Sequence, residues 1–166
     1  NQPGYSHLNY DNTGSFRDFY QEISYGQFLP ISEVVNWITA PFDHNYYGYY
    51  NPNVWNHVRQ LVRAMVDSLE AQGFDWSQYD NDNSGYVDAI NLLHQGEGAE
   101  QGEHSNIWSH KASLGNLSVT YDGVTISSYT MNPEIQSGNI VAIGVLAHEF
   151  GHALGLPDLY DTDYSS

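Results

Sequence analysis

Apolar and polar positions along this chain repeat with two different periods, and the changes of period mark out its elements. Val54, Trp55, Val58, Leu61, Val62, Met65, Val66 and Leu69 recur at three- and four-residue spacings. That spacing predicts an amphipathic helix over 52–72, packed on a sheet. Asn51 is placed to cap it, Pro52 suits its first turn, and Gly73 is its natural stop. A shorter helix is predicted over 15–24. There Ser15 and Asp18 form a capping box, Phe16, Phe19, Tyr20 and Ile23 share one face, and Gly26 ends the run. Residues 27–39, with Val34, Val35, Trp37 and Ile38, read as strands. Residues 86–94 read as a strand leaving a turn. Residues 117–131 read as two strands joined at Asp122–Gly123, a hairpin signal. Residues 140–154 are apolar nearly all round, which predicts a buried helix. The aromatic run 41–51, with Tyr46, Tyr47, Tyr49 and Tyr50 around Gly48, reads as a packed loop rather than a sugar or peptide platform.

Composition narrows the function. The chain has 166 residues, enough for one domain over 1–166 with its own core, and no internal repeat or long linker divides it. It carries 20 Asp and Glu against 4 Lys and Arg, and from residue 64 onward Lys111 is the only base. Such a chain repels nucleic acid and anionic lipid, so neither is expected as a partner. No apolar run is long enough to span a membrane. The absence of cysteine excludes thiol catalysis, thiolate metal sites and disulfides. The first residue is Asn1 rather than Met, so the sequence is expected to be a piece of a longer precursor. A monomer is the default expectation.

The last predicted helix carries His148-Glu149-Phe150-Gly151-His152. Histidines at i and i+4 lie on one helical face a turn apart, so both imidazoles can reach one metal ion. Gly155 can take the left-handed conformation that ends a helix and Pro157 cannot resume one, so the chain turns and can carry Asp158 back to the metal. Three ligands and one open position describe a catalytic zinc site. Glu149, beside His148, is placed as the general base that takes a proton from a zinc-activated water and passes it to the leaving amine. H-E-x-x-H arises by chance in roughly 2% of chains of this composition, and the added Gly and Asp at fixed offsets reduce that to roughly one in ten thousand. Two histidines and a glutamate on a buried apolar helix also need a partner, because unpaired buried polar groups are costly.

The run from His148 through Gly155 and Asp158 to Leu159-Tyr160-Asp161 resembles the immune inhibitor A family of secreted bacterial metallopeptidases, in the metzincin clan. Similar stretches are Gly14-Ser15-Phe16-Arg17-Asp18-Phe19-Tyr20, Ser24-Tyr25-Gly26-Gln27-Phe28, the segment from Asp80 to Asp88, and Ile107-Trp108-Ser109-His110. The resemblance implies an α+β fold: a mixed twisted sheet packed on a backing helix and an active-site helix. It implies export from a bacterium, cleavage of protein or peptide substrates, and Asp158 where most metzincins have a third histidine. Metzincins place a methionine turn after the third ligand. Met65 and Met131 both lie upstream of Asp158, so the lower C-terminal part of that fold is expected to be missing from this sequence.

A second metal is expected at Asp80-Asn81-Asp82-Asn83-Ser84-Gly85-Tyr86-Val87-Asp88. Asp80, Asp82, Ser84 and Asp88 occupy positions 1, 3, 5 and 9 of a calcium loop, Gly85 the sixth, and Tyr86 supplies a carbonyl at the seventh. Asn91 stands at position 12 instead of a bidentate Glu, so a change of loop geometry or an acid from elsewhere, Glu97 or Glu100, is expected to complete a structural Ca2+ site. The alternative is an acidic turn without an ion. His7, His44, His57 and His104 read as surface residues, and His94 and His110 as buried, hydrogen-bonded ones. Against the Zn2+ endopeptidase stands a non-catalytic adhesin or mucin-binding module with a structural zinc, which would have no need of Glu149. A hydrolase of another amide or a small ester is a third reading.

Overall fold

The computed structural model of the chain describes residues 14–158. His7 and the motif positions Leu159, Tyr160 and Asp161 lie outside the described residues. The chain divides into two compact units, Asn1–Trp37 and Ile38–Ser166.

In the first unit, helix α1 (Phe16–Ile23) starts as its capping box predicts. Asp18 N–H donates to Ser15 Oγ at 3.2 Å, and Ser15 N–H donates to Asp18 Oδ2 at 2.8 Å. These bonds satisfy two of the donors a helix start leaves open. Tyr20 is buried, in ring contact with Phe16, Phe19 and Phe28. The strands expected over 27–39 do not form: residues 28–40 contain no helix or strand. Ile31 and Val34 are almost fully exposed. Alternating apolar residues make a strand only when a neighbour takes up their main-chain groups, and among the described residues none does.

The second unit is built on helix α3 (Val54–Glu70), preceded by the single turn α2 (His44–Tyr47). Val54, Val58, Leu61, Val62 and Val66 line its buried stripe at the predicted spacing, and Gly73, with φ +81°, follows its end. Asn51 does not cap it directly. Its Oδ1 instead accepts from Asn53 N–H at 3.0 Å, in the turn before the helix. The α3 stripe joins Trp76, Ile107, Leu114, Val124, Ile126, Tyr129 and Met131 in one core.

The main sheet contains strands β1 (Asn91–Glu97), β2 (His110–Ser113), β5 (Ser128–Gln136) and β6 (Asn139–Ile140). The first pairs parallel with β5, while β2 and β6 pair antiparallel with it, so the sheet is mixed and the class is α+β. Strand β2 pairs with β5 as far as Met131, and β6 takes over at Ile135. Pro133 falls between them, opposite the irregularity that separates His94 from Glu97, where a residue without an N–H is tolerated. Strands β3 (Val119–Tyr121) and β4 (Val124–Ile126) form the predicted hairpin. Asp122 and Gly123 have φ +50° and +85°, the two positive values a tight hairpin turn requires. The strand expected over 86–94 begins later, at Asn91; before it only Tyr86 bridges to Thr125.

Helix α4 (Ile143–Ala153) packs on β5 and β2. It is not buried all round, as its apolar composition predicted. Ala147, Glu149, Phe150 and Gly151 are buried, but His148 stands exposed. One face of the helix is left open.

Candidate metal centre

Three side chains converge at the open face and C-terminal end of α4. His148 Nε2 and His152 Nε2 are 3.2 Å apart, and Asp158 Oδ1 lies 3.4 Å from the first and 3.2 Å from the second. The i,i+4 spacing supplies the histidine pair. The helix end supplies the carboxylate. Gly155 takes φ +88°, its N–H donates to His152 O at 3.1 Å, and Leu156 N–H donates to Gly151 O at 3.0 Å. This paired-bond ending reverses the chain and returns Asp158 to the histidines.

The spacing fits a tetrahedral ion. Ligands about 2.0–2.1 Å from a zinc at tetrahedral angles lie about 3.3 Å from one another. The observed edges of 3.2–3.4 Å match that length. His152 is also set in the matching tautomer: its Nδ1 faces the Leu156 carbonyl oxygen at 2.8 Å and must donate to it. In the neutral ring Nε2 then carries the lone pair, as a metal ligand requires. The donor set of two imidazoles and one carboxylate is one that zinc accepts.

Glu149 is 7% exposed. Burial pushes its carboxyl above the usual carboxylate range; His148 and His152 oppose the shift, while Asp158 and Glu100 add to it. A carboxyl of raised pKa beside three converging donors is a candidate for proton transfer.

The acidic turn also converges. Carboxylate oxygens of Asp80, Asp82 and Asp88 lie within 4.8 Å of one another. Gly85, with φ +82°, donates its N–H to Asp80 Oδ2 at 2.9 Å, and Ser84 N–H donates to Asp80 Oδ1 at 2.8 Å and Asp82 Oδ1 at 3.0 Å. Ser84 Oγ points to Asp80 at 3.3 Å, and Asn81 Nδ2 donates to Asp88 Oδ2 at 2.6 Å. The turn thus satisfies part of its own charge. Glu97 and Glu100 do not belong to this group of carboxylates and are hydrogen-bonded elsewhere. Glu97 Oε1 accepts from Gly138 N–H, and Glu100 accepts from Ser109 Oγ and N–H. Asn91 Oδ1 is taken by Thr130 Oγ1.

Several residues differ from their sequence reading. Glu100 acts on Glu149 through its charge, a relation no spacing in the sequence announces. His44, His57 and His104 are half-buried rather than surface residues, because aromatic rings surround them. The His57 ring stacks on Tyr46 at 3.9 Å with its Nδ1 on the Tyr46 carbonyl oxygen, and His104 stacks on Tyr50 at 4.9 Å. His94 is buried and hydrogen-bonded as expected, whereas His110 is hydrogen-bonded but only half-buried. His94 Nδ1 faces Gln95 O, while His110 lies between Trp108 O at 2.7 Å and Tyr129 Oη at 3.1 Å. The aromatic run is packed only in part: Tyr47 is buried in the core with Tyr46 against it, while Tyr49 and Tyr50 are exposed.

Comparison with known proteins gives consistent matches. The family model described as "Immune inhibitor A peptidase M6, catalytic domain" matches residues 1–166. Immune inhibitor A of Bacillus thuringiensis subsp. alesti is 32% identical over 184 residues, a match covering 91% of this chain and 26% of that protein. Pre-pro-metalloprotease PrtV of Vibrio cholerae serotype O1, from strain M66-2 and from strain ATCC 39315 / El Tor Inaba N16961, is 31% identical over 193 residues, covering 98% of this chain and 20% of the relative. The chain therefore spans about a quarter or a fifth of the length of these relatives.

Proposed function

The chain belongs to the immune inhibitor A peptidase family, and from that premise we propose that it is the zinc-bearing part of an exported bacterial endopeptidase. The observation that carries this reading is the convergence of His148, His152 and Asp158 at tetrahedral edge lengths beside the buried Glu149. His148, His152 and Asp158 would hold the zinc through Nε2, Nε2 and Oδ1. Bound there, zinc supplies Lewis acidity toward a scissile carbonyl and makes a water acidic enough to attack it. The Leu156 carbonyl holds His152 in its ligand tautomer. A carboxylate oxygen of Glu149 takes the proton of the attacking water and delivers it to the departing amine nitrogen. Burial of Glu149 keeps bulk water from competing for that proton. The metzincin arrangement, with α3 as backing helix and α4 as active-site helix, belongs to the same proposal.

A Ca2+ ion at Asp80, Asp82, Ser84, Tyr86 and Asp88 is proposed as structural. The support is the loop spacing and the grouping of three carboxylates around a glycine turn. Main-chain bonds from Val87 to Thr125 and from Thr125 to Gly85 tie that turn to the β3–β4 hairpin. An ion there would stiffen the segment that leads into β1. Among the described residues no helix is long and apolar enough to cross a membrane.

The test is cleavage of casein by the wild type and by Glu149→Ala, with zinc measured in each. Zinc in both and a rate lower by about 10²–10⁴-fold in the variant is the expected result for loss of a general base. Zinc in both and no cleavage by either, with any pro-segment removed, would replace this reading with the non-catalytic binding module.

A further inference from the structure

Helix α2 meets strand β1 through two histidines. The rings of His44, the first residue of α2, and His94, in the middle of β1, have centroids 5.5 Å apart. Each ring hides an Nε2 atom without a hydrogen-bond partner. His94 is 7% exposed, its Nδ1 faces the Gln95 carbonyl oxygen at 3.1 Å, and the main chain of Ile107 also favours its charged form. Buried polar atoms are normally paired, and two orphans in one contact call for an explanation. Packing alone is served by an apolar pair without that cost. What two imidazoles add is positive charge that arrives on acidification.

We propose that the His44–His94 contact is an acid-sensitive latch, closed while both rings are neutral and opened as protons enter, releasing α2 and the segment after it from β1. That segment is held next to 104–106 by Tyr49 N–H on Asn106 O at 2.9 Å and Tyr50 N–H on His104 O at 3.1 Å. Beyond His94, β1 leads into the turn that carries Glu100, whose charge reaches Glu149. The latch is therefore placed to connect acidification with the surroundings of the reaction base.

The charged groups acting on the pair come from both sides. Asp43, at the N-cap of α2, favours a charged His44, and Glu100 favours a charged His94, while His44 opposes charge on His94. Burial outweighs them. It lowers the pKa of both rings, that of His94 to about 4. Once opened, a ring regains an ordinary value near 6.5. Between about 6.5 and about 4 the opened form binds more protons than the closed one, so falling pH favours opening. Above that window neither form binds the proton and the latch has no pH dependence. For His94 alone the opening equilibrium rises on the order of 50-fold from pH 7 to pH 4.5.

The experiment is backbone amide exchange at residues 46–50 of the full-length, zinc-loaded protein from pH 7 to 4.5. Rates are corrected for intrinsic exchange, and zinc release is followed with a chromogenic chelator. The expected result is a loss of protection of about 50-fold in the wild type, with protection retained in the His44→Gln/His94→Gln variant. Constant protection in the wild type, an equal loss in the variant, or a loss that tracks zinc release in both would overturn the latch. Should the double variant fail to fold, an NMR titration of the wild-type histidine rings decides. Protonation of His94 well below pH 6.5, in step with the loss of protection, supports the latch; protonation near 6.5 without such loss overturns it.

Discussion

The Nδ1 of His152 donates to the main-chain carbonyl of Leu156 at 2.8 Å, so the turn that ends α4 also orients a proposed metal ligand. Helix ending and candidate metal site are one device. The glycine at its centre has φ +88°. A side chain there strains the turn by about 1 kcal/mol and shifts both the Leu156 carbonyl and Asp158. Gly155→Ala is expected to keep the helix by circular dichroism and to weaken zinc binding by about tenfold or more, the usual cost of disturbing a ligand's support. Competition with a zinc-chelating dye measures it. Unchanged affinity would show that the cap does not orient His152.

The acidic turn is tested by calcium alone. Calcium is expected to raise the melting temperature of the wild type, with about 2.7 kcal/mol gained at a hundredfold excess over the dissociation constant. Asp82→Asn should abolish that gain while zinc content stays the same. A melting temperature insensitive to calcium would leave the turn as a self-satisfied acidic loop, held by the bonds from Ser84 and Gly85 to Asp80.

His110 gives a pH dependence of fixed sign. Burial lowers its pKa from the ordinary 6.5, with Arg59 acting in the same direction and Trp108 and Glu100 opposing. The unfolded chain therefore takes up this proton at higher pH than the folded one. Stability is lost as pH falls below about 6.5 and is unaffected by this group above it. Urea midpoints in a chelating buffer, which removes any contribution from zinc release, should fall on acidification. In His110→Gln they should fall less steeply. Parallel curves for the two proteins would refute the assignment.

Gly48 is required by space rather than by backbone freedom. Its φ is −67°, which any residue adopts, but a Cβ there would collide with the Ser105 carbonyl. Gly48→Ala is expected to destabilise by about 1–3 kcal/mol, the range for overpacking. Chemical denaturation measures it; a loss well under that range would mean that the 104–106 segment yields without resistance.

The legible parts of the sequence were those whose signal is local. Ser15 and Asp18 made their capping box, Asp122 and Gly123 their hairpin, and the α3 spacing its buried stripe, because each rests on neighbours within a few residues. The grouping of His148, His152 and Asp158 was readable for the same reason. The failures are non-local. Residues 27–39 read as strands, but whether a strand forms depends on a partner elsewhere. Apolar composition placed α4 in the interior, yet which face stays open is set by what packs against it. His44 and His104 looked like surface residues because the rings that cover them, His94, Tyr50 and Trp108, come from distant or unpatterned segments.

The compactness of the ligand set has a further consequence, and it concerns the denatured chain. His148, His152 and Asp158 fall within eleven consecutive positions. Closing so short a loop around an ion costs little chain entropy, far less than gathering ligands from separate strands. An unfolded chain thus keeps much of a chelating peptide, and whatever zinc it binds is subtracted from the stability that zinc gives the native state. On the proposed function, zinc should hold the candidate site together more effectively than it holds the fold together.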